Sequence, residues 1–343
     1  MKKFILILCV IAIFACNKES TNSKKQLNLF CWYAYVSANV IKQFETRTGI
    51  SVHYDTYDSN EALLEKLKSG VAEYDVVVPS DYLARILIHQ ELLETLNHSK
   101  IKGMENIMPR LRKMDFDKTN AHTIPFMWGT TGIGYNKTKV TDPADSWAIL
   151  WNPKYKDRIL MLDDIREVFG AALKWKGHSM NSKNPSELLE AKNLLIQQKP
   201  LVKTYNSASF DEVLLSGDVW LAHGWSGQLA KAAAQNKDLA YVVPKEGGTI
   251  WVDNLAIAKG AKHVEEAYTF INYMLTPEIA AEITNFSGYP TANEAAKKFI
   301  KPEILNDPAR YSSEEILSRC EFMVDLGETR VLLDRYWTEI KSK

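Results

Sequence analysis

The chain has 343 residues, and 42 Lys plus Arg balance 42 Asp plus Glu, so its formal charge is zero. Nucleic acid is therefore not expected as a partner, because binding phosphates needs a basic excess. With 46% hydrophobic and 24% charged residues and only 16 Gly and 12 Pro, the composition excludes a disordered, collagen-like or disulfide-stapled chain. A length far beyond about 150 residues predicts two lobes around separate cores.

Lys2 and Lys3 precede an unbroken apolar run from Phe4 to Ala15. This has the form of a secretory signal, and it is too short to cross a bilayer as a helix. It closes on Ile13-Phe14-Ala15-Cys16, which resembles a bacterial lipobox. Residues 1–16 are expected to be a signal peptide, with Cys16 the site of lipid attachment. An ordinary secretory signal with a chance cysteine is the alternative. Residues 17–26 are rich in Ser, Thr, Asn and Lys and read as a flexible tether. No later apolar run is long enough to span a membrane.

In chain order, Leu27 to Trp32 reads as a strand and Ala38 to Thr48 as a helix stopped by Gly49. Ser51 to Tyr54 is strand-like. Asp58 and Glu61 form a capping-box pattern opening a helix that ends near Gly70. Tyr74 to Pro79, with three consecutive valines, reads as a buried strand. This alternation predicts a parallel sheet covered on both faces. Gly129, Gly132 and Gly134 are expected to line a strand crossing between lobes. Further strands are expected over Ile159–Leu162, Val219–Trp225 and Thr249–Lys259. Helices are expected over Asp164–Trp175, Pro185–Gln197, through Ala234, and over His263–Leu275, Pro277–Asn285 and Ala292–Phe299.

The seven His residues lie too far apart in sequence for a zinc-type pair. The sequence contains no nucleophile elbow, Walker loop or dinucleotide fingerprint. No catalytic residue, metal or cofactor is therefore expected. Cys31 and Cys320 are open to pairing or to two free buried thiols.

Aromatic and acidic residues instead collect at predicted strand ends, where α/β sheets bind ligands. Trp32 and Tyr35 end the first strand, and Ser80 and Tyr82 follow the valine strand. Asp164 and Glu167 share the first turn of a helix, whose N-terminus is expected to hold them ionised to low pH. Trp225 ends another strand, Trp251 and Asp253 share one strand face, and Tyr289 lies in a turn. Each residue taken singly is core packing or a helix cap. Together, carboxylates and ring faces match a short organic cation whose charges are separated by methylenes.

These residues resemble the spermidine/putrescine-binding proteins of bacterial polyamine ABC importers. The resemblance runs from Leu27 to the C-terminus and is carried by Asp55-Thr-Tyr-Asp-Ser-Asn-Glu61, Ile124-Pro-Phe-Met-Trp-Gly129, Asp163-Asp-Ile-Arg-Glu-Val-Phe169, Lys245-Glu-Gly-Gly-Thr-Ile-Trp-Val-Asp253 and Gly288-Tyr-Pro-Thr-Ala-Asn293. It implies an α/β, two-lobed periplasmic-binding-protein-like (type II) fold with a hinged cleft. Lobe one would comprise residues 27–134 and 254–300, and lobe two residues 135–253 and 301–343.

The resemblance also implies a non-catalytic, monomeric, lipid-anchored extracytoplasmic protein that hands polyamine to a membrane permease. Trp32, Tyr35, Ser80 and Tyr82 would form the lobe-one wall, and Asp164 and Glu167 would meet one ammonium end. Trp225 and Trp251 would sandwich the aliphatic stem, Asp253 would hold another amino group, and Tyr289 would supply a supporting hydroxyl. Tyr33 and Ala34 depart from the family pattern, as does Met323, which stands where spermidine-preferring members carry a polar Gln. That loss favours putrescine as a competitor. The alternatives are a same-fold importer component for another solute, or a secreted glycosidase.

Overall fold

The computed structural model describes residues 25–70 and 73–343. The expected signal peptide and its Cys16 lie outside the described residues, as does most of the tether.

The first part of the chain runs β1 (Gln26–Trp32), α1 (Ala38–Thr48), β2 (Ser51–Tyr57), α2 (Asn60–Ser69), β3 (Val76–Val77), α3 (Asp81–His89) and β4 (Thr123–Asn136). It continues through β5 (Ile159–Met161), α4 (Ile165–Trp175), α5 (Pro185–Gln198), β6 (Val202–Tyr205), α6 (Phe210–Leu215), β7 (Leu221–Trp225), α7 (Ser226–Gln235) and β8 (Leu239–Val242). The last part holds β9 (Thr249–Ile257), α8 (Val264–Met274), α9 (Pro277–Ser287), α10 (Pro302–Leu305), α11 (Glu314–Leu317), β10 (Glu321–Phe322) and α12 (Thr329–Lys341).

The strands order as β2-β1-β3-β9-β4-β7-β5-β6, with β10 on β9 and β8 on β4. β1 pairs parallel with both β2 and β3, and β5 pairs parallel with both β6 and β7. These are the crossover units that the helical connections demand. The three strands of the expected parallel sheet, β1, β2 and β3, pair parallel, and β9 runs antiparallel to both β3 and β4, so the sheet as a whole is mixed.

β4 is the connecting element between lobes. Its residues Thr123–Thr130 pair with β9, and Thr131–Tyr135 pair with β7. All three glycines of the crossing lie on it. The apolar side chains separate accordingly. One cluster gathers Leu27, Phe44, Val76, Leu83, Trp128, Val252 and Phe270, and another gathers Ile133, Trp147, Ile159, Phe169, Leu195 and Ile340.

Local chemistry moves several predicted boundaries. The cap of α2 is Ser59, whose side chain accepts from the amide of Ala62 at 3.3 Å, and not Asp58. Only Val76 and Val77 of the valine run make strand pairs. Residues Glu294–Phe299 form a 3-10 helix, where an α-helix is expected over Ala292–Phe299. Asp164 is the cap of α4 and not its first helical residue. Cys31 and Cys320 are both free thiols.

Candidate functional site

β1 and β3 deliver their C-terminal ends to the groove between lobes, as parallel strands do. Trp32 is the last residue of β1, and the chain then turns through Ala34 at φ 60° to present Tyr35. Ser80 caps α3, and Tyr82 sits in its first turn. From the second lobe come Asp164 and Glu167 at the start of α4 and Trp225 at the end of β7. Trp251 and Asp253 lie two apart on β9, and Tyr289 follows α9. All ten line one cavity of about 610 Å³, counting its open mouth.

Asp253 is 2% exposed. Its Oδ1 accepts from the Ser80 hydroxyl at 2.5 Å, and its Oδ2 accepts from the Tyr35 hydroxyl. Burial pushes its pKa up to about 7 against the opposing pull of those two hydroxyls. Glu167 is held in the same way. Its Oε1 accepts from Thr131 at 2.8 Å and from the Trp225 indole at 3.1 Å, and its Oε2 accepts from Thr249 at 2.7 Å. Burial, then the neighbouring Asp164 charge, raise it to about 7. Asp164 Oδ1 accepts the amides of Arg166 at 2.9 Å and Glu167 at 3.0 Å. Its pKa is nonetheless raised by burial, so desolvation outweighs the helix N-terminus and overturns the expectation of carboxylates ionised to low pH.

The rings form a continuous wall. Trp32 meets Trp225 edge-on at 6.0 Å, and Tyr289 contacts Tyr35 at 5.2 Å and Trp251 at 5.3 Å between centroids. The Tyr289 hydroxyl donates to Gln228 Oε1 at 2.7 Å. The Tyr82 hydroxyl donates to Glu61 Oε1 at 3.1 Å, and its ring lies 5.6 Å from the Arg166 guanidinium. Met323 also lines the cavity and is 7% exposed.

Several lining residues escape the sequence pattern. Tyr57 is one because β2 runs three residues past its predicted end, which makes Tyr57 a strand-end aromatic like Trp32. Asn60, Gln228 and Asp81 are others. An acid opening a helix looks like ordinary dipole compensation, yet Asp81 is 2% exposed. The lining therefore contains Asp58, Asp81, Asp164, Glu167 and Asp253, and no Lys, Arg or His among the described residues. Asp81, Asp164, Glu167 and Asp253 are buried, and burying carboxylates in excess of their counter-charge is costly. This cavity is built to receive positive charge.

A two-lobed mixed sheet with a polar, ring-lined cavity between its halves defines a solute-binding protein. The chain belongs to the family of bacterial extracellular solute-binding proteins, whose model matches residues 39–311. It is 35% identical to the spermidine/putrescine-binding periplasmic protein of Salmonella typhimurium, covering 100% of this chain and 99% of the relative. It is 36% identical to the putrescine/cadaverine-binding protein of Pseudomonas aeruginosa, covering 100% of each chain. Among solved structures, the Tp0655 (TpPotD) lipoprotein of Treponema pallidum superposes with a TM-score of 0.84 at 31% identity, covering 93% of this chain and 100% of the other.

Proposed function

We propose that this protein binds a linear polyamine, spermidine and/or putrescine, outside the cytoplasm and delivers it to an ABC importer. The observation that carries this reading is the cavity lining, with five acidic side chains, rings on both walls and no basic residue among the described residues. Asp253 holds one terminal ammonium, and Asp164 with Glu167 holds the other. Trp32, Trp225, Trp251 and Tyr289 cover the methylenes, each ring contributing roughly 0.5–2 kcal/mol where it faces a cation. Ser80 and Tyr35 orient Asp253, and Tyr82 shapes the wall beside Arg166. The relatives' names support the same reading, since they describe binding of spermidine and putrescine in the periplasm and of putrescine and cadaverine.

The protein acts by binding and release, as a monomer. Its lobes close on the ligand about the β4 and β9 crossing, as hinged binding proteins do. Cys16 carries the lipid that holds it to the membrane. Among the described residues, no helix is long and apolar enough to cross a membrane.

Calorimetric titration of the mature protein with putrescine and with spermidine tests the reading. Saturable one-to-one binding is expected. Absence of heat and of any thermal shift with both amines would defeat it.

A further inference from the structure

Asp81 is the first residue of α3, and it faces the cavity with 2% exposure. Its Oδ1 accepts the Tyr82 amide at 2.8 Å. Its Oδ2 is buried without any hydrogen-bond partner. The carboxylates of Asp253 and Glu167 have donors on both oxygens, so Asp81 is the exception among these three. The nearby cation, Arg166, is committed elsewhere. It donates to the Val324 carbonyl at 2.9 Å and to Asn181 Oδ1 at 3.0 Å. A buried carboxylate oxygen with no donor is expensive, and a ligand ammonium aimed at it would satisfy it.

The position of Asp81 says which donor. Its chain neighbour Ser80 forms a β-bridge with Asp253, which ties Asp81 to the pole at that end. Burial raises its pKa first, and the Asp253 and Glu167 charges raise it further, so it lies within the field of both poles. We propose that Asp81 receives the internal secondary ammonium of a triamine whose two primary ammonium groups occupy the Asp253 and the Asp164–Glu167 ends. This rests on the polyamine reading and deepens it. Each of the three nitrogens then meets a carboxylate, and a diamine leaves Asp81 Oδ2 unanswered. Triamine preference then follows despite the apolar Met323.

The test compares spermidine with 1,8-diaminooctane, its isostere carrying methylene in place of the internal ammonium. Wild-type protein is expected to prefer spermidine by at least about tenfold, the scale of one charge-assisted hydrogen bond. Asp81→Asn is expected to bring that ratio to within about threefold of unity, because 1,8-diaminooctane and spermidine then differ only at a nitrogen that no longer meets a carboxylate. Should Asp81→Asn fail to fold, Asp81→Ser reports the same ratio. A wild type that does not discriminate, or a ratio that survives in the variant, overturns the proposal. A wild type that binds neither spermidine nor putrescine sinks the polyamine reading itself, and this inference with it.

Discussion

Gly129 on β4 sits directly opposite Trp251 on β9, and a Cβ built at Gly129 would lie 2.5 Å from Trp251 Cζ2. The indole plane therefore rests on bare backbone, which sets how far the ring reaches into the cavity. Glycine is required here for space and not for its torsion freedom. Gly227 bears the same relation to Tyr289, whose ring carbon Cδ1 would be 2.3 Å from an added Cβ.

Gly129→Ala is accordingly expected to push Trp251 off its seat. Overpacking of this kind costs about 1–3 kcal/mol of stability. Polyamine affinity is expected to fall about tenfold through the displaced ring, since 1.4 kcal/mol is a factor of ten. Thermal denaturation and calorimetry on the same preparation check both. A folded variant with unchanged affinity would show that Trp251 does not touch the ligand.

Asp253→Asn separates binding from folding. In the empty protein the Asp253 carboxylate is desolvated, and its only donors are two neutral hydroxyls. The amide keeps an acceptor for one hydroxyl and removes the buried charge. The variant should lose at least about a hundredfold in amine affinity, because removing one partner of a buried ion pair costs about 3–5 kcal/mol. Its melting temperature without ligand at pH 8 should be no lower than that of wild type. Retained binding in the variant would move the ammonium site away from Asp253.

Much of this site is legible in the sequence because strand ends can be found from periodicity and parallel sheets present ligands there. Trp32 and Trp225 are placed by that logic, and the Trp251–Asp253 pair by the two-residue period that puts both on one strand face. Asp81 and Gln228 are not, because an acid or amide in a first helical turn has the same pattern whether it faces water or a cavity. Burial is a tertiary property, and it also decides the protonation of Asp164, whose helix-capping hydrogen bonds alone suggest the opposite shift. The parallel pairing of β1, β2 and β3 is legible, but the strand that continues the sheet is not. β9 returns from the far end of the chain to pair antiparallel with β3, and no local pattern announces that partner.

Met323 follows β10 and packs among the first lobe's core residues while lining the cavity. Its thioether offers an amine only a weak acceptor. Met323→Gln supplies an amide oxygen at the same reach. Spermidine affinity is expected to rise relative to putrescine by about 2–10-fold, the scale of one net hydrogen bond. Parallel titrations with both amines read the ratio, and an unchanged ratio would place the far nitrogen away from Met323.

The carboxylates predict an unusual pH response. Asp253 and Glu167 are raised to about 7 in the empty protein, chiefly by burial, against roughly 3.9 and 4.3 for free side chains. Between about pH 4 and 7 the folded state therefore holds protons that the unfolded chain has released. Stability then falls as pH rises through that window and levels off above 7. Amine binding requires the ionised forms, so the two effects have opposite signs. Affinity should be flat above pH 7 and fall below it, by up to about tenfold per pH unit for each carboxylate that must lose a proton. Calorimetry at pH 5, 6, 7 and 8, in buffers of different ionisation enthalpy, measures the affinity and the protons released. Without ligand, the melting temperature should drop from pH 5 to 7, and saturating spermidine should shrink or reverse that drop. An affinity that does not change from pH 5 to 8, with no proton release, would mean that the ligand's charges are met by groups other than Asp253 and Glu167.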